Sequence, residues 1–188
     1  EWYGNGSKKL QGEYPNGNWC SWYRNGSKES EGERLNSLET GLWGYWDDNG
    51  NQVARGTFDD GKKSGTWEHW YTNGQMKRTG VWKKGREHGK WAFWYPCGQL
   101  KKEGEYSEGE EDGSWCHWYD NGNKAREGNW SCGREEGKWV TWYENGNLER
   151  EYEYLNGKWH GRRTLYREDG IKESEGFFEH GKRQGVWV

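Results

Sequence analysis

Three residue types in this chain have the chemistry for a functional site: four cysteines, five histidines and seventeen tryptophans. Thiols at Cys20, Cys97, Cys116 and Cys132 could pair as disulfides or join imidazoles on a metal. Their spacing contains no C-x-x-C and no zinc-type Cys/His combination, so it points to no metal site. His69, His88, His117, His160 and His180 are scattered along the chain. Carboxylate runs such as "EGEED" at 108–112 read as solvated turns rather than an acid/base pair. No nucleophile–base pair, phosphate-cradling loop or metal constellation is visible, so no catalytic residue, metal ligand or cofactor is assigned and the chain reads as a non-enzyme. What remains is the chemistry of indole rings, which bury large apolar surfaces and stack on flat partners.

Those rings must be positioned by an unusual chain. Leu, Ile, Val and Phe make up only 18 of 188 residues, a level typical of disorder, yet the formal charge is just −3. Aromatic residues reach 18% and Gly 31, so whatever this chain buries is aromatic. The near-neutral balance gives no basic footprint for nucleic acid and no attraction to an anionic membrane. No apolar run approaches the roughly 20 residues of a transmembrane helix. The absence of an initiator Met or targeting segment at Glu1 fits a mature, trimmed or excerpted chain.

Periodicity organises the whole sequence. Glycines recur every 24 residues at Gly17, Gly41, Gly65, Gly89, Gly113, Gly137, Gly161 and Gly185. Counting slots from each, Trp fills slot 3 at Trp19, Trp43, Trp67, Trp91, Trp115, Trp139 and Trp187. It fills slot 6 at Trp2, Trp22, Trp46, Trp70, Trp94, Trp118 and Trp142. Slot 18 is aromatic at Tyr14, Phe58, Trp82, Tyr106, Trp130, Tyr154 and Phe178. Asn-Gly at slots 9 and 10, as in Asn73-Gly74, predicts a type I′ turn between two short aromatic strands. That turn would set Tyr71 opposite Met76 and Trp67 opposite Gly80, with the Trp ring lying over the glycine it faces. Slots 3, 7, 12 and 18 would share one face, and the slot-6 Trp would point to the other. With no 3.6-residue stripe, essentially no helix is expected.

The fold class predicted is all-β: an elongated, twisted, single-layer antiparallel meander of eight β-hairpin repeats, residues 1–188 forming one array roughly 75–80 Å long. A β-solenoid is the alternative, with the Asn-Gly turns as corners. On an open sheet Cys20 and Cys116 would lie on the order of 38 Å apart, and the other two thiols fall at opposite edges, so free thiols are expected.

The pattern G-x-W-x-x-W-Y-x-N-G, followed by G-x-aromatic and a glycine-bearing turn, resembles MORN-type repeats, in the variant of bacterial antitoxin-like proteins. The resemblance covers the whole chain and implies a twisted sheet of hairpins that binds, scaffolds or neutralises a partner. Two repeats depart from it: Arg163, Tyr166 and Arg167 replace Trp, Trp and Tyr, and slot 18 of the unit from Gly17 lacks an aromatic.

The termini are in phase. "GVWV" at 185–188 followed by "EWYGNG" at 1–6 reads like "GKWVTWYENG" at 137–146. The expectation is therefore a structural scaffold that self-assembles head to tail into a filament, through Gly185, Val186, Trp187 and Val188 of one copy and Glu1, Trp2 and Tyr3 of the next. A longer covalent array, a closed ring and a chain cut between equivalent points are the alternatives. A different class of function is a binding module, for a toxin-like protein or for a glycan stacked on the slot-6 ladder Trp2, Trp22, Trp46, Trp70, Trp94, Trp118 and Trp142, whose rings would repeat about every 9–10 Å. The structural counter-reading has these rings covering the second face under Arg and Lys stems. Sequons at Asn5, Asn25 and Asn129 mark possible glycosylation and lean toward an extracellular or cell-surface setting.

Overall fold

Short aromatic runs separated by glycine turns leave the chain no long segment to wind as a helix, and none forms: the computed structural model describes residues 1–188 as 17 strands. Two units are distinguished, 1–88 and 89–188. The first holds β1 (Leu10–Gly12), β2 (Gly17–Trp22), β3 (Lys28–Leu35), β4 (Leu38–Trp46), β5 (Gln52–Asp59), β6 (Lys62–Trp70) and β7 (Met76–Lys83). β8 (Arg86–Trp94) contributes residues to both. The second continues with β9 (Leu100–Ser107), β10 (Glu110–Trp118), β11 (Lys124–Ser131), β12 (Arg134–Trp142), β13 (Leu148–Leu155), β14 (Lys158–Trp159), β15 (Gly161–Tyr166), β16 (Lys172–Glu179) and β17 (Lys182–Gln184). Within each unit neighbouring strands pair antiparallel in chain order, as in β4–β5 and β11–β12. This is the hairpin meander the repeat predicts, and antiparallel pairing rules out the solenoid.

The turns correct the sequence reading. At Asn73-Gly74 the Gly74 N–H donates to the Tyr71 carbonyl and the Tyr71 N–H to Gln75 (both 2.9 Å). Only the glycine has positive φ, +83°; Asn73 does not. A type I′ turn needs both central residues there, so this is instead a turn closed by a left-handed glycine bulge. The extra residue shifts the register, and Trp70, not Tyr71, faces Met76. Slot 12 therefore joins the slot-6 face rather than the slot-3 face. The positive-φ pairs lie in the connections between repeats: Asp60 (48°) and Gly61 (71°) close the two-residue loop from Asp59 to Lys62.

A second bulge decides where the indole goes. Between β5 and β6, Thr57 faces Ser64 and Arg55 faces Glu68, leaving Gly65–Trp67 opposite the single residue Gly56. Gly65 takes φ +66°, a conformation costly for any other residue. Trp67 does pair with Gly80 along the backbone, but its ring covers Gly56 of the preceding hairpin, where an added methyl would sit 2.2 Å from Cδ2. The same contact joins Trp43 to Gly32, Trp115 to Gly104, Trp139 to Gly128 and Trp187 to Gly176. Trp67 Nε1 donates to the Thr57 carbonyl (3.0 Å), and Trp43 and Trp115 bond the equivalent Glu33 and Glu105 carbonyls. These indoles are the core: Trp67 and Trp115 are 1% exposed and Trp139 0%.

Gly128→Ala would drive a methyl group to within 2.1 Å of the Trp139 ring. It is expected to cost about 1–3 kcal/mol of overpacking, whereas Gly4→Ala, with nothing within 4 Å, should stay within about 0.5 kcal/mol. Urea denaturation of the two variants checks this; equal losses would remove the ring-on-glycine contact from its central place.

Candidate functional site

Successive strand residues point to opposite faces. Slots 3, 5 and 18 line one face, where Trp43 stacks on Tyr45 and meets Phe58 edge-on. The slot-6 tryptophans line the other. A methyl on Gly44 would meet Trp46 Cη2 at 2.5 Å, which places that ring on the face of slot 4. Most slot-6 rings are half-buried; Trp2 is 67% exposed.

Cations cover several of these rings, and their source is regular. Lys8 Nζ lies 5.1 Å from the Trp22 ring centre, Lys28 5.1 Å from Trp46, and Lys124 5.6 Å from Trp142. In each case slot 12 of one repeat reaches slot 6 of the next. The same ammonium bonds slot 15: Lys28 to Glu31 (2.5 Å), Lys124 to Glu127 (2.6 Å) and Lys8 to Gln11 (2.8 Å). Arg55 covers Trp70 and pairs with Glu68. The slot-12 and slot-15 partners were missed in the sequence, although "KESE" at 28–31, "KARE" at 124–127 and "KESE" at 172–175 carry the signal.

At the Asn-Gly end two further side chains reach the next repeat. Tyr23 Oη donates to the Trp46 carbonyl (2.9 Å), and Tyr119 does the same to Trp142 (2.8 Å). Asn25 Nδ2 donates to the Asp48 carbonyl (2.7 Å) while its Oδ1 accepts the Ser27 N–H. Asn5 repeats this toward Arg24 and Ser7. The Nδ2 atoms of Asn5 and Asn25, where a glycan would attach, are thus engaged in cross-repeat bonds. Asn129 Oδ1 accepts from Ser114 Oγ.

At the outer edges, Glu1–Tyr3 folds onto Ser7–Leu10, with Trp2 bridging Lys8. Val188 exchanges backbone bonds with Glu175 (2.8 and 3.2 Å). All four cysteines are free thiols.

A profile of the MORN repeat variant matches residues 63–84, 87–108, 111–131 and 135–156, four consecutive periods of this repeat. The chain is a MORN-repeat protein. Comparison with curated proteins finds no match.

On the aromatic face of these MORN repeats, slot 5 holds two histidines. Burial, reinforced by Arg78, Lys63 and Lys77, pushes His69 down to about 4. Burial with Lys102, Arg126 and Lys101 does the same to His117. Burial also raises Tyr45, in the same slot, to about 12, with Glu39 adding to the rise. An unfolded imidazole titrates near 6.5, so on acidification the unfolded chain takes up protons first. The stability contributed by neutral His69 and His117 is complete above about pH 6.5 and is lost as pH falls toward 4. His69→Phe with His117→Phe, copying Phe93 in the same slot, is expected to flatten that decline. Melting temperatures from pH 7.5 to 4 check it; an unchanged slope would mean other groups control the acid response.

Proposed function

We propose that this MORN-repeat protein is a non-catalytic scaffold, and that the polypeptide of residues 1–188 assembles head to tail, the edge of one copy completing the edge of the next. The observation that carries the reading is that the two edges are complementary halves of one repeat strand. Gly185–Val188 lies along β16 as slots 1–4, and Trp187 covers Gly176 as every slot-3 indole covers its glycine. Past Val188, Lys172–Ser174 of β16 are paired on the β15 side only, leaving a notch lined by Lys172, Glu173, Ser174, Glu175 and Val188.

The other edge supplies slots 5–7. Glu1 N and O bond Leu10 O and N (2.9 and 3.2 Å), the relation Ser21 has to Ser30 within the chain. Joined in register, Glu1 of the next copy would face Ser174, as Thr141 faces Arg126, and Val188 would face Gln11, as Cys20 faces Glu31. Trp2 would then meet Lys172, as Trp46 meets Lys28 and Trp142 meets Lys124. Sheet edges with unpaired backbone groups favour such addition, and a head-to-tail contact that does not close propagates.

Sedimentation and negative-stain imaging at micromolar protein should show polymers whose length grows with concentration. Lys172→Glu with Trp2→Ala should return single copies with unchanged far-ultraviolet dichroism. Wild-type chains that sediment as single copies under those conditions would overturn the reading.

A further inference from the structure

The ammonium–indole–carboxylate cluster on the second face has a place where two of its three members stand without the third. In the repeat from Gly89, slot 12 is Leu100, slot 15 is Glu103, and the following slot-6 ring is Trp118. Glu103 faces Cys116 across β9–β10 as Glu127 faces Val140 across β11–β12, so backbone geometry matches that of the complete cluster Lys124–Glu127–Trp142. Leu100 pairs with Trp94 where Lys124 pairs with Trp118. The carboxylate and the ring are kept; the lysine between them is a leucine.

Three nearby cations are committed elsewhere. Lys101 lies over Tyr95 (5.2 Å), Lys102 bonds Glu111 (3.3 Å), and Lys124 bonds Glu127 (2.6 Å). Lys90 occupies the slot from which Lys138 reaches Glu151 (2.6 Å), but makes no ion pair with Glu103. Glu103 is exposed and Trp118 half-buried, so both can be reached from solvent.

We propose that Glu103 and Trp118 receive the ammonium of a lysine side chain from a partner protein, with Leu100 and Trp94 flanking its alkyl stem. The chain itself names the ligand chemistry, because its own lysines occupy the equivalent place at Glu31/Trp46 and Glu127/Trp142. A primary ammonium on a flexible stem satisfies both acceptors: point charge against carboxylate, and cation over the ring face. The site uses none of the residues of the head-to-tail pairing and does not depend on it.

The test uses the full chain carrying Lys172→Glu with Trp2→Ala, so that assembly does not interfere. The probe is the blocked peptide Gly-Gly-Lys-Gly-Gly, with norleucine replacing lysine as the control. The Trp118 indole N–H resonance, assigned with Trp118→Phe, should shift saturably with the lysine peptide and not with the norleucine peptide. Glu103→Gln should weaken binding about fivefold. Leu100→Lys should abolish the shift while preserving the fold, since slot 12 is already lysine at Lys8, Lys28, Lys124 and Lys172. No saturable shift, an equal shift with norleucine, or a shift that survives Leu100→Lys would each overturn the proposal.

Discussion

An indole lying on the bare backbone of a glycine in the preceding hairpin is the contact on which everything else in this protein depends. A lone two-stranded hairpin is marginal in water, and a single-layer sheet has no second layer to cover its apolar face. The stabilisation must therefore come from side chains long enough to reach sideways onto the neighbouring strand. Each part of the device requires the others. Gly65 in the left-handed region produces the bulge that turns Trp67 backward, and Gly56, lacking a Cβ, lets the ring settle on the main chain. Thr57 fixes its height through the Nε1 hydrogen bond. Phe58 meets Trp67 edge-on, with ring centres 5.1 Å apart, and closes the remaining side. Replacing any one member leaves the others poorly satisfied.

Farther along the strand, polar groups connect the same pair of hairpins. The slot-7 tyrosine and slot-9 asparagine each bond a carbonyl of the following repeat, as Tyr119 and Asn121 do toward Trp142 and Glu144. Neighbouring repeats are thereby tied backward through the indole and forward through phenol and amide. Energy in such an array is a sum over nearest neighbours rather than a property of one centre. A mean hydropathy of −1.50 is compatible with order here, because the buried area is concentrated in a few large rings and the rest of each strand can stay charged.

Much of this was legible in the sequence. The 24-residue period, the hairpins and the absence of helix follow from glycine and tryptophan spacing alone. The turn type was misplaced because two kinds of x-Gly loop alternate in each repeat, and Asn-Gly is the stronger type I′ signature of the two. Asparagine is used at slot 9 for its side-chain amide, which bonds both its own turn and the next repeat; tolerance of positive φ has no part in it. The glycine partner of each indole was also misassigned, since backbone pairing puts Trp67 opposite Gly80 while the bulge sends its ring to Gly56. A clue was present. Tyr152 is the one slot-16 residue in the chain that is not glycine, and the slot-3 residue eleven positions later, Arg163, is the one that is not tryptophan. The slot-12 lysines escaped notice because a one-residue register error placed them on the wrong face.

That coupled exception shows how departures from a repeat can be interpreted when the repeat supplies its own comparison. Where the glycine is lost, the indole that would have covered it is lost as well. Tyr152 fills the space with its own ring, 8% exposed and edge-on to Tyr154, and Arg163 moves over Trp159. Asp47 replaces the slot-7 tyrosine in the same compensated manner, its carboxylate taking the Asn49 and Asn51 amides and so rebuilding the turn from within. Changes that carry their partner with them preserve the fold and need no further explanation. Leu100 is of the other kind: the lysine is gone, while the exposed carboxylate of Glu103 and the half-buried ring of Trp118 remain, and Glu103 has no ion pair. Trp118 keeps the slot-6 place that nearly every repeat fills, while Glu103 stands exposed and unpaired beside it, which turns attention from the interior of the array to what meets its surface.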